Sequence, residues 1–149
     1  MINYEPLPTI INATGLRLVL VQGYPSPWGH AAKAMMEYKD LVYRTGAQQA
    51  GEENAELMQW SGVNSGPVVA WDLAPPLNRW NDILFLLERL CPEKNLVPED
   101  GALRVQCLGL CHEICGELGL GWNRRLSMFR PIVESGQKPD GFMKMAEKW

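Results

Sequence analysis

Four consecutive apolar residues, Leu18 to Val21, break an otherwise mixed amino-terminal stretch. An uninterrupted run of that length predicts a short strand over Arg17 to Gln22 that is covered on both faces. Ahead of it, Pro6, Pro8 and Gly15 punctuate residues 1 to 15, which read as an irregular arm in which Thr9 to Ile11 can pair briefly. After it, Gly23-Tyr24-Pro25-Ser26-Pro27 forms a turn with Ser26 as helix N-cap and Pro27 at the first helical position, so a helix is expected to about Tyr38. Leu41 to Thr45 alternates as a second strand, Gly46 to Asn54 is polar and reads as a loop, and Ala55 to Trp60 suits a short helix closed by the Ser61 to Gly66 turn cluster. Pro67 to Trp71 opens a third strand at a proline, a position where no ladder donor is needed. Ile83, Leu84, Leu87 and Leu90 give helical spacing from Trp80 to Leu90, and Cys91-Pro92 stops it.

The order is therefore strand, helix, strand, helix, strand, helix. Glu93 to Asp100 reads as a linker, and Leu103, Cys107, Leu110, Cys111, Ile114 and Leu118 predict an amphipathic helix over Ala102 to Leu118, ended by Gly119 and Gly121. The tail from Trp122 reads as a helix to Phe129, a Gly/Pro loop and a final helical piece. Arg124, Arg125 and Arg130 do not share a tight stripe there and suit a solvated face.

With 149 residues, 46% hydrophobic and 21% charged, the chain fits one ordinary folded domain or a small domain with a partial second one. A net charge of −3 gives no global attraction to nucleic acid or acidic lipid. The longest apolar runs fall far short of the ~20 residues of a membrane helix. Residues 1 to 14 carry no Lys or Arg, unlike a signal or transit peptide, so a cytoplasmic location is expected. Reduced thiols follow for Cys91, Cys107, Cys111 and Cys115. The last three lie one helical turn apart, which suits a packed helix stripe; a metal or redox site is the alternative, although no CxxC, CxxCH or HExxH motif is present.

Three local matches resemble the glutathione S-transferase superfamily. Ser26-Pro27-Trp28 stands where Ser- or Cys-type members have Ser/Cys-Pro-aromatic at the first helix start. Ser65-Gly66-Pro67-Val68 looks like the family's cis-proline turn. Leu77 to Leu84 occupies the place of the stretch that holds the γ-glutamyl group. The resemblance implies an α/β thioredoxin-like, glutathione-binding domain over residues 16 to 92, a linker over 93 to 100 and a partial all-helical domain over 101 to 149.

It also implies a transferase of alkyl or aryl groups: glutathione or a related thiol is the substrate and no cofactor is required. Ser26 would be the catalytic residue, stabilising the thiolate, with Tyr24, Trp28, Gly66, Pro67, Arg79 and Trp80 around the peptide. Cys111, His112 and Cys115 would line the pocket for an apolar electrophile, and the subunits would pair as a homodimer. Arg79 and Trp80 replace the family's acidic or amide residue and serine. Neither can accept the γ-glutamyl ammonium's protons, but Arg79 can grip a carboxylate. A non-catalytic binding or assembly module with a remodelled γ-glutamyl pocket is therefore the second reading. The helical domain is shorter than the family's, which leaves one flank of the electrophile pocket open unless something else covers it or the sequence is a fragment. Other uses stay open at the residue level: Ser26 is also an ordinary N-cap, Tyr24 can donate to sulfur or pack, His30 can face the site or solvent, and Trp28, Trp60, Trp71 and Trp80 can wall a pocket or fill the core.

Overall fold

The computed structural model describes residues 2–116 and 118–121. The chain divides into two compact units between Lys94 and Asn95. The expectations for the tail, with Arg124, Arg125 and Arg130, lie outside the described residues.

The first unit runs β1 (Tyr4–Glu5), α1 (Leu7–Ile11), β2 (Leu16–Gln22), α2 (Pro27–Tyr38), β3 (Tyr43–Gln49), α3 (Ala55–Ser61), β4 (Val68–Trp71) and α4 (Trp80–Leu90). One sheet has the order β1-β3-β2-β4, with β1 and β2 parallel to β3 and β4 antiparallel to β2. Beyond β4, Leu77 exchanges two backbone hydrogen bonds with Val69, at 2.7 and 2.8 Å. The apolar run of β2 is covered on both sides. Leu16, Leu18 and Leu20 pack with Ala32 and Met36 of α2 and Ile83, Leu86 and Leu87 of α4. On the opposite face, Val19 and Val68 meet Ile10 of α1 and Leu57 of α3.

The amino-terminal arm is a correction to the sequence expectation. Residues 4 to 11 form a β–α unit that pairs with β3 and seals the second face with the fully buried Ile10. Pro6 is the N-cap of α1 and Pro8 stands in its first turn, where a backbone N–H has no intrahelical use, so the prolines start this helix instead of interrupting it. The second correction is β3, which continues to Gln49 through the stretch expected as loop. It lies between β1 and β2; β1 pairs with it only to Gly46, while β2 pairs with it through Gln49, and that ladder outweighs its polar composition. Gly46 suits this close approach, since a Cβ there would stand 3.1 Å from Ile10 Cγ1 and make that side chain give by a few tenths of an ångström.

Two buried cations also hold the unit together. Arg17 of β2 donates from Nη1 to the carbonyls of Ile10 and Ile11, at 3.3 and 3.0 Å, and from Nη2 to that of Asp72. Its guanidinium lies 5.6 Å from the centre of the Trp60 ring, and desolvation pulls its pKa below the ordinary value. Lys39, at the end of α2, has a fully buried side chain that binds Glu88 Oε1 of α4 at 2.7 Å and the carbonyls of Cys91 and Lys94 at 2.8 Å each.

The second unit contains α5 (Gly101–Cys115), capped by Asp100, whose carboxylate accepts the Leu103 N–H at 2.9 Å. Gly116 ends it short of the expected Leu118. The expected apolar face is corrected as well: Leu103, Leu110, Ile114 and Leu118 are exposed, whereas Cys107, Cys111 and Cys115 are half-buried. The less exposed side of α5 thus follows the cysteines. Among the described residues no helix is long and apolar enough to cross a membrane.

Candidate functional site

The site is built where α2 starts. Ser26 has extended backbone geometry and its Oγ accepts the Gly29 N–H at 3.2 Å. A hydroxyl has one proton and two acceptor sites, so this cap leaves the Ser26 proton to be donated elsewhere. The Ser26 carbonyl accepts two bonds from His30, one from its backbone N–H at 2.8 Å and one from ring Nδ1 at 2.7 Å. A carbonyl cannot donate, so Nδ1 must carry the proton. Gly29 lets the helix start lie on β2: a Cβ there would stand 2.8 Å from Leu20 Cδ2.

A cavity of about 30 Å³ opens beside this cap, between Ile2 and Tyr4 of the amino-terminal unit, Leu20 and Val21 of β2, and Tyr24, Ser26 and His30. That is room for a small group such as a sulfhydryl and not for a whole peptide. The Tyr4 hydroxyl lies 3.5 Å from the Val21 carbonyl, and burial pushes the Tyr4 phenol up from its ordinary value.

The Gly66–Pro67 peptide bond is cis. Pro67 is buried and Gly66 rests against the same end of β2, where a Cβ would meet the Val19 carbonyl oxygen at 2.8 Å and Leu20 Cα at 3.3 Å. The turn and the Ser26 cap therefore flank one strand end. Arg79 is the N-cap of α4 and makes no side-chain cap bond; it is exposed, and Trp80 beside it is half-buried.

Of the residues singled out from sequence, Tyr24 and Ser26 meet in the cavity. Trp28, Gly66, Pro67, Arg79 and Trp80 are not in its wall. Cys111, His112 and Cys115 stand on α5 in the second unit, where burial raises the Cys111 and Cys115 thiols above their ordinary value and His112 is exposed. Trp28, Trp60, Trp71 and Trp80 do not form a single wall. Trp71 packs against the cluster that contains Leu16 and Leu18 on one face of the sheet, and Trp60 against the one that contains Leu57 and Val68 on the other. Sequence reading does not connect Ile2 and Tyr4 to Ser26, and nothing in their surroundings along the chain signals it; His30, one turn after the cap, is open between site and solvent from sequence alone and lines the cavity. Among the described residues no three His, Cys, Asp or Glu side chains are grouped to hold a metal ion.

No protein-family description matches the chain, and neither does any curated protein. Solved structures do. A Tau class glutathione S-transferase from mango (Mangifera indica) superposes with a TM-score of 0.62 at 16% identity over 90% of this chain and 56% of its own. A glutathione transferase homologue from Sulfitobacter, with bound glutathione, gives 0.65 at 12% over 90% of this chain and 62% of its own. A glutathione S-transferase from Methylobacterium radiotolerans, in complex with glutathione sulfonate, gives 0.61 at 17% over 91% and 61%. The chain thus spans about 60% of the length of these proteins. It has the glutathione transferase fold, a thioredoxin-like α/β unit followed by a short helical segment.

Proposed function

We propose that the chain binds glutathione or a related thiol and activates its sulfur at Ser26 for conjugation to an apolar electrophile. The observation that carries this reading is the Ser26 cap, whose Oγ accepts from Gly29 and keeps its own proton beside a cavity of sulfhydryl size. The thiolate is the reactive form of a thiol. The start of α2 favours an anion by typically ~0.3–1 kcal/mol, and donation from the Ser26 hydroxyl adds to that. Ser26 then stabilises the sulfur anion without itself forming a bond to carbon. The peptide portion lies outside the cavity, against Gly66-Pro67 and the start of α4, with Tyr24, Trp28, Arg79 and Trp80 around it. Cys111, His112 and Cys115 are assigned to the electrophile side. The same reading places the chain in a reducing cytoplasm, which its four free cysteines support, and pairs it as a homodimer.

A second reading, a non-catalytic binding or assembly module, draws on the exposed Arg79 at the uncapped start of α4, which supports a remodelled γ-glutamyl pocket. Isothermal titration of reduced glutathione into wild type and Ser26→Ala separates the two. The transferase reading expects a Kd of roughly 1 mM or tighter, about −4 kcal/mol or better, and loss of conjugation in Ser26→Ala. The module reading expects no heat at several millimolar and a Ser26→Ala effect limited to about 1 kcal/mol of lost cap stability.

A further inference from the structure

We propose that His30 is the base of this site, taking the proton of a thiol bound beside Ser26 onto its Nε2. The inference rests on the thiol-binding reading above and assigns the proton a destination. Two observations support it. Nδ1 lies 2.7 Å from the Ser26 carbonyl oxygen and must donate to it, so in the neutral ring Nε2 is the basic atom. His30 and Ser26 both line the cavity beside the cap.

The step balances within the site. The S–H bond breaks and its electron pair stays on sulfur, while the proton forms an N–H bond at Nε2. The product is a thiolate next to an imidazolium, and the net charge of the pair is unchanged. The imidazolium returns its proton to solvent after the sulfur has been alkylated. The other titratable groups facing this cavity are phenols, Tyr4 from β1 and Tyr24 from the turn, and burial keeps Tyr4 protonated. Lys33 and Glu37 of α2, Glu5 of β1 and Arg44 of β3 line an adjoining open groove. Among the side chains at the cavity, the imidazole is the one that carries a basic nitrogen lone pair. Ser26 and His30 divide the work: the hydroxyl donates to the sulfur and the ring removes its proton.

The test is reduced glutathione titrated into the full chain near pH 7, in two buffers of different ionisation heat. It is read together with the ultraviolet band of the thiolate and the rate of alkylation by an activated aryl halide. Wild type is expected to show the thiolate band with no net proton release to buffer. His30→Asn keeps an N–H in the place of Nδ1, so Ser26 stays held, but it has no basic ring nitrogen. It is expected to release one proton per thiolate formed or to lose the band, with alkylation slowed on the order of 10²-fold. Protection of the Gly29 amide from hydrogen exchange reports that the cap has survived. A wild type that releases one proton per bound thiolate overturns the proposal without any variant. So does a His30→Asn chain with wild-type band, proton balance and rate, and in that case the role of Ser26 stands. A wild type that binds no glutathione overturns the thiol-binding reading and the base with it.

Discussion

Lys39 to Met removes the cation that ties the end of α2 to the end of α4. The Lys39 ammonium has three donors and three partners: Glu88 Oε1 at 2.7 Å and the carbonyls of Cys91 and Lys94 at 2.8 Å. Its side chain is 0% exposed and that of Glu88 16%, so water reaches neither well. Methionine fills similar volume but leaves the Glu88 carboxylate without that cation, and breaking such a pair from one side costs about 3–5 kcal/mol. Replacing both residues, as Lys39→Met with Glu88→Met, removes that carboxylate as well. The two carbonyls still lack their donor, for a cost of about 1–3 kcal/mol. The double variant should therefore be more stable than Lys39→Met alone. Native-state hydrogen exchange at the Leu18 and Val19 amides of β2 reads the stability of the first unit without treating the whole chain as two-state. A single-variant loss below about 1 kcal/mol, or a double variant no better than the single, would refute the argument.

At the Gly66 turn, Gly66→Ala drives a Cβ to 2.8 Å from the Val19 carbonyl oxygen, a backbone atom in the central strand. A loss of about 1–3 kcal/mol and weakened glutathione titration are expected. Gly29→Ala meets only the far end of the Leu20 side chain at that distance and should lower the melting temperature less; equal losses would count against the backbone argument. Glu5 pairs with Arg44, its Oε1 accepting from Nε at 2.9 Å, and this hydrogen bond holds the Glu5 carboxyl below its ordinary 4.5. The unfolded chain thus binds this proton at a higher pH than the folded one. The contribution is complete above the ordinary value and is lost as pH falls through the lowered one. A carbon-detected titration should place the Glu5 midpoint below 4.5, and Glu5→Gln should abolish this acid dependence of β1 protection; a midpoint at the ordinary value would remove its basis.

The alternation of elements from β2 to α4 and the Ser26-Pro27 helix start are legible in the chain because each is a local matter. An apolar run, a capping hydroxyl and a proline with no N–H act on their immediate neighbours whatever surrounds them. What the sequence left open depends on partners distant along the chain. Residues 4 to 11 become a β–α unit only because β3 offers an edge and Val19 a surface for Ile10. The polar run after Gly46 becomes strand because β2 pairs with it through Gln49. Lys39 and Arg17 are charged residues that any pattern assigns to solvent, yet carbonyls from α1, from the turn after β4 and from the end of α4 converge on them. His30 likewise looks like a surface helix residue until Ile2 and Tyr4 are folded against it to form the cavity wall. Burial is decided by what the tertiary structure brings near. The sequence alone fixes only the local preferences that this packing then uses or overrides.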